Sequence, residues 1–344
     1  MPATEKNSEK IRKLQETLDG ARSLLVVLQD HPDPDAIAAG VGLRAVVHHL
    51  TDIQCTFVHG GTVGRGENRA LVQYLSLRLR PIDDIDIGDY DCIAMVDAQP
   101  GTGNSSLAAD VVPAIVIDHH SIRNATRKAK FTDIRSRYGA TATILWEYLH
   151  EVGVTPEMPL ATALLYGIRS DTQDLGREAT DADIQAAEGL HPLANKRMLG
   201  QIQRGRVPGV YFQMLNDALS EAMIYPDAIV AGLGDIHNAD MLGETADLFL
   251  RHENVGWALT HGFYDGELLV SIRTLNSEPR ADEVAKKVCY RIGTGGGHAM
   301  LAGAQIHVGK DSTRRRREIV AKVNSRFLKA IGSSGRSGSR LVSS

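Results

Sequence analysis

Short strand-like segments alternate with segments of helical periodicity along the first half of the chain. That alternation limits the fold more than any other feature. Ser23–Leu28 is a continuous apolar run and reads as a buried parallel strand, and Ile53–Val58, Tyr90–Val96 and Ala114–Ile117 read as further strands. Ala36–Leu50 and Asn68–Leu77 read as helices between them, and Thr141–Val152 and Leu160–Ile168 as helices after them. An opening helix over residues 6–21 sets Ile11, Leu14 and Leu18 at helical spacing. The pattern predicts an α/β fold: a mostly parallel sheet with helices on both faces.

The second half differs. Residues 191–225 are helical and polar, broken by Pro192 and Pro208, and read as a linker. Beyond it Ala228–Leu233, Val255–Thr260, Leu268–Ile272 and Ala302–Val308 read as strands, with helices over Asp282–Tyr290 and Ser312–Ile331. The organisation expected is a domain over 1–190, a linker over 191–225, a smaller α/β domain over 226–331 and a Gly/Ser-rich disordered tail over 332–344. At 344 residues and 43% hydrophobic the chain has enough apolar material for two cores. A net charge of −4 argues against coating long duplex DNA. No apolar stretch approaches a membrane span, and the polar N-terminus lacks a signal-peptide core. Cys55, Cys92 and Cys289 are scattered and read as reduced thiols, so a cytoplasmic location is expected.

The acidic residues and histidines fall where a site would. Asp33 and Asp35 follow the first strand, Asp97 the strand ending at Val96, and Asp118, His119 and His120 the strand ending at Ile117. Asp171 follows the helix ending near Ile168. In an open parallel sheet the strands' carboxyl ends share one edge, where ligands bind. Clustered carboxylates repel and are costly to strip of water unless a cation neutralises them. Carboxylates with imidazole and no thiolate suit Mn²⁺ or Mg²⁺ better than a structural zinc.

Asp118-His119-His120, Asp30–Ala36, Met95–Asp97 and Tyr166–Thr172 together resemble the motifs of the DHH phosphoesterase superfamily. Ser271–Arg273 and Gly295-Gly296-Gly297-His298, read as a strand and a glycine-rich loop, are similar to its DHH-associated C-terminal domain. The likeness is nearest to the group of nano-RNases, pAp phosphatases and cyclic-dinucleotide phosphodiesterases. It implies a metal-dependent phosphodiesterase or phosphatase holding two Mn²⁺ ions, with Mg²⁺ or Co²⁺ as alternatives. Asp97 would bridge the ions. Asp35, His119 and Asp171 would complete one site, Asp33 would serve the other, and His120 would contact the phosphate. A hydroxide activated by both ions would attack phosphorus in line. Arg273, Gly295, Gly296, Gly297 and His298 would bind one end of a short substrate: an oligoribonucleotide, a cyclic or linear dinucleotide, or pAp.

One position departs from the family pattern. Gln29 stands where a histidine usually precedes the first aspartate, and His31 lies two residues later. Either Gln29 or His31 ligates the first ion, or that site is degraded. The last case would give a nucleotide-binding regulatory protein. Inorganic pyrophosphatase activity is a third reading, placed lower because the glycine run and Arg273 suit a nucleotide. The Arg314–Arg317 run reads as a solvated helix face. A homodimer is compatible with the sequence.

Overall fold

The computed structural model describes every residue except 1, 177–178, 277, 298–299, 310–312 and 343–344. It divides into two units, residues 1–206 and 207–344. The first contains α1 (Pro2–Leu18), β1 (Ser23–Val27), α2 (Pro34–Leu50), β2 (Gln54–His59), α3 (Gly66–Tyr74), β3 (Leu79–Pro81), β4 (Cys92–Val96), β5 (Ile115–Asp118), β6 (Phe131–Ile134), α4 (Thr141–Glu151), α5 (Met158–Asp171), α6 (Asp181–Leu190) and α7 (Lys196–Gln203). Its six strands are all parallel, in the order β3-β2-β1-β4-β5-β6. The order reverses between β1 and β4, so their carboxyl ends open the crevice where such sheets bind ligands.

Helix α2 fixes what enters that crevice. Asp33 caps its first turn by accepting from the Ala36 N–H at 2.9 Å, and Pro34 supplies the preset φ of the first helical residue. The helix is small and apolar along most of its length and is almost wholly buried. Gly167 lets α5 pass α2 closely: a Cβ there would stand 3.1 Å from both Asp35 Cα and Ala38 Cβ. That approach brings Asp171, the last residue of α5, towards Asp35.

The second unit contains α8 (Gly209–Glu221), β7 (Met223–Tyr225), β8 (Ala228–Asp235), α9 (Asp240–Phe249), β9 (Trp257–Tyr264), β10 (Glu267–Thr274), α10 (Ala281–Cys289), β11 (Thr294–Gly297), β12 (Leu301–His307), α11 (Thr313–Ala330) and β13 (Ser339–Arg340). Its sheet is mixed, ordered β11-β12-β10-β9-β8-β7-β13, with only β8 and β9 running parallel. The α/β reading therefore holds for both halves. The expected linker splits, giving α7 to the first unit and α8 to the second.

Three expectations are corrected. The glycine run is not a loop: Gly295, Gly296 and Gly297 form edge strand β11, opposite Ala304, Gly303 and Ala302 of β12. The tail is not wholly disordered, since β13 pairs with β7 and the Leu341 N–H donates to Ala222 O at 2.9 Å. Arg340 adds a hydrogen bond to Ser220 O and an ion pair with Glu221, contacts that Gly/Ser composition does not reveal. Arg316 of the basic run is not simply solvated; it pairs with Asp235 and lies over the Phe263 ring. Among the described residues all three cysteines are free thiols, and no helix is long and apolar enough to cross a membrane.

Candidate metal centre

Asp97 leaves β4 with φ at 56°, a left-handed backbone uncommon outside glycine and tolerated by aspartate. Its N–H still donates to Ile117 O at 3.0 Å, so the turn is anchored to β5. The carboxylate is buried. Oδ1 accepts from the Thr141 hydroxyl at 2.8 Å, whereas Oδ2 has no hydrogen-bond partner.

Asp35 lies in the first turn of α2 and is fully buried. It accepts the N–H groups of Thr141 at 2.6 Å and Ala142 at 2.8 Å. Ala140 offers no side-chain cap to α4, so Asp35 does that work from another helix. In return the positive end of α4 stabilises the buried carboxylate.

His119 Nδ1–H donates to Tyr138 O at 3.0 Å; a carbonyl only accepts, so Nδ1 carries the proton. Nε2 is thereby the ring nitrogen that could face a cation. It stands 3.2 Å from Asp171 Oδ2 and 3.6 Å from Asp97 Oδ1, contacts misaligned for hydrogen bonds. The ligand atoms of Asp35, His119 and Asp171 lie within 4.8 Å of one another, and so do those of Asp97, Asp118, His119 and His120.

Electrostatics agrees with this crowding. Burial, followed by the charges of Asp35 and Asp33, raises the Asp97 carboxyl well above the usual range. Burial and Asp171 do the same to Asp35. Asp33 is pushed up to about 6 by burial and Asp171, against the opposing bonds from Ala36 and Gln29. Burial works against a charged His119, but Asp171 and Asp35 outweigh it and push the imidazole up to about 10. Carboxylates around one imidazole, with a buried oxygen and a buried nitrogen both unpartnered, fit a hard divalent cation.

Asp118 serves differently. Its Oδ1 accepts the His120 N–H at 3.1 Å and Nδ1–H at 2.8 Å, and Oδ2 accepts from Gln99 at 2.7 Å. Burial opposes its charge, yet the His120 and Gln99 bonds hold the carboxyl below the usual range. Asp118 thus fixes the orientation of the His120 ring. Sequence reading missed Gln99 and Thr141. Gln99 is fully buried, and its Oε1 accepts the Arg123 N–H and the Thr126 hydroxyl, both at 2.8 Å. Gln99→Leu orphans both donors, at roughly 1–3 kcal/mol each. Urea unfolding should show the loss; an unchanged midpoint would mean the loop after His120 does not depend on Gln99.

Other expected residues lie elsewhere. His31 has φ at 55°, and its Nδ1 accepts the Thr62 N–H at 3.2 Å; neither it nor Asp33 joins the two groupings. Gln29 contacts Asp33 and Asn104. In the second unit Arg273 is paired with Asp247 at 3.1 Å and donates to Ser271 at 3.0 Å. Arg273 faces Leu301 and Gly297 faces Ala302, so they share one end of the sheet. His298 lies outside the described residues.

The DHH family, N-terminal domain, matches residues 23–168, and the DHHA1 domain matches 226–329. The chain belongs to the DHH superfamily and carries both domains. It is 31% identical over 329 residues to an uncharacterized protein of Methanocaldococcus jannaschii, covering 93% of this chain and 66% of that one. The chain thus spans just under two thirds of that relative. It is 25% identical over 299 residues to a probable manganese-dependent inorganic pyrophosphatase of Streptococcus agalactiae, covering 82% of this chain and 94% of the relative. An exopolyphosphatase-related protein from Bacteroides fragilis shares the fold at TM-score 0.72 and 16% identity, covering 94% and 96% of the two chains. RecJ from Thermus thermophilus does so at TM-score 0.54 and 15% identity, covering 95% of this chain and 54% of RecJ.

Proposed function

We propose that this chain is a metal-dependent phosphoesterase acting on short nucleotides: short oligoribonucleotides, cyclic or linear dinucleotides, or pAp. The observation that carries the reading is a pair of groupings that share His119 — Asp35 and Asp171 in one, Asp97, Asp118 and His120 in the other — at the sheet's switch point, with Asp97 Oδ2 and His119 Nε2 buried and without a hydrogen-bond partner. Asp35, Asp97, His119 and Asp171 would hold a divalent cation, Mn²⁺ foremost, and Asp33 would face a second. Bound cations would supply acidification of a water and neutralisation of phosphoryl charge.

The chain's own residues do the rest. Tyr138 O keeps the proton on His119 Nδ1 and presents Nε2. Thr141 ties the Asp97 carboxylate to the His119 backbone through one hydroxyl, at 2.8 and 3.2 Å. Asp118 holds His120 so that its ring meets a substrate phosphate and stabilises the charge developing there. In the second unit Arg273 binds a nucleotide phosphate, and the bare backbone of Gly295–Gly297 permits close approach by base or sugar.

The test is a panel of a linear dinucleotide, pAp, pyrophosphate and a generic nitrophenyl diester, each with Mn²⁺, Mg²⁺ and Co²⁺. Dinucleotide or pAp should be hydrolysed fastest, with Mn²⁺. Arg273→Ala should weaken nucleotide use about tenfold to a hundredfold, the loss of one charge-assisted bond, and spare the generic ester. Equal loss on both would assign Arg273 to folding. Likeness to the streptococcal pyrophosphatase across 94% of its length favours a second reading, hydrolysis of inorganic pyrophosphate. Pyrophosphate turning over faster than any nucleotide selects it. Nucleotide binding without hydrolysis of anything selects a regulatory role.

A further inference from the structure

We propose that the two cation seats are unequal and that an amide relay, Asn104 to Gln29 to Asp33, keeps the second one weak. The proposal rests on the metal-centre reading above and concerns residues outside the four that form the tight seat.

Asp33 has both oxygens engaged by the protein: Oδ1 by the Ala36 N–H at 2.9 Å and Oδ2 by the Gln29 side-chain amide at 2.7 Å. An ionised carboxylate only accepts, so the NH₂ end of Gln29 must face Asp33. Its oxygen must then face Asn104, whose NH₂ donates to it at 3.1 Å. Asn104 Oδ1 in turn accepts from the Thr102 hydroxyl, which also reaches Gln99 O at 2.8 Å. Asn104 O holds the Asp30 N–H at 2.7 Å, which pins the relay to the loop that carries Gln29 and Asp33.

Every donor in this series points towards Asp33. The only atom of Gln29 able to ligate a cation, Oε1, is committed to Asn104. Gln29 is therefore a donor that competes with a cation for Asp33. At the other seat, Asp97 Oδ2 is buried and has no hydrogen bond to give up. His31 does not compensate: its Nδ1 lies 3.2 Å from both the N and the O of Thr62, and its ring packs on Gly61. Of the six expected aspartate and histidine ligands, only Asp33 and His31 join neither converging group.

Mn²⁺ titration by calorimetry, with free Mn²⁺ followed by paramagnetic resonance, tests this without reference to turnover. The wild-type chain should bind one ion tightly and a second at least about tenfold more weakly, the scale on which residues behind a ligand change metal affinity. Gln29→His exchanges the competing donor for an imidazole and should bring the second ion to the affinity of the first. Asn104→Ala frees the Gln29 oxygen and should tighten the second ion by a smaller factor. Asp33→Asn should abolish the second ion and leave the first. Two equally tight ions in the wild type, or a second ion unmoved by Gln29→His and Asn104→Ala, overturns the relay and leaves the metal centre standing. No Mn²⁺ bound at all overturns both.

Discussion

Asp97→Asn should remove Mn²⁺-dependent hydrolysis by at least about 10³-fold and, in the same protein, raise the metal-free melting temperature. The first effect follows from position. Asp97 carries the buried, unpartnered Oδ2 and stands 3.6 Å from His119 Nε2, so its charge is the one most nearly shared by any ions in the crevice. Losing several kcal/mol of phosphoryl-charge stabilisation is worth roughly three powers of ten in rate. The second effect follows from crowding. Without a cation, the Asp97 charge is opposed by burial and then by Asp35, Asp33, Asp118 and Asp171. Asparagine keeps the shape and the acceptor for the Thr141 hydroxyl while removing that repulsion. Stability would thus be gained where function is lost, as expected when a site is built against its own charges. Near wild-type turnover in this variant would exclude Asp97 from the chemistry. A lowered metal-free melting point would mean that its charge supports the fold.

The sheet was legible because four of its six strands are short segments rich in apolar and β-branched residues that alternate with helical ones, β1 the most continuous of them. The other two were not. β3 is only Leu79–Pro81, and β6 places the buried Asp133 mid-strand, where Arg135 and Tyr148 hold it at 2.8 and 2.7 Å. A buried charge satisfied by a distant partner leaves no periodic signal. The same reason hid Gln99 and Thr141, whose roles exist only once β4, β5 and α4 meet. The acidic residues were readable because each lies at or near a strand or helix end, a one-dimensional fact with a three-dimensional consequence. Asp118 shows the limit of that logic. Its place beside His119 and His120 was plain, but its work of holding His120 and receiving Gln99 required the hydrogen bonds. The glycine run misled because glycine disfavours strands, and only pairing with β12 makes β11 one.

Stability should depend on pH in opposite ways with and without Mn²⁺. In the metal-free chain Asp33 is raised to about 6. It then binds its proton more tightly folded than unfolded, and its contribution to stability is lost as pH rises through that value. His119, raised to about 10, behaves alike over a higher range: its contribution is full below the unfolded imidazole value and lost as pH climbs through the folded one. Asp35 and Asp97, also raised, add to the fall. The oppositely shifted Asp118 and Asp133 lose their contribution only at acid pH, below this window. The melting temperature in EDTA should therefore decline steadily between about pH 5.5 and pH 8.5. Saturating Mn²⁺ needs those same groups deprotonated, so its binding strengthens with pH. At a thousandfold excess over Kd the ion contributes about 4 kcal/mol, roughly 10 °C for a unit of this size. The gap between the two melting curves should be small at the acid end and largest at the alkaline end. A constant gap would mean that the ligands do not titrate in this range. Coincident curves at every pH would mean that the acidic crevice does not bind Mn²⁺.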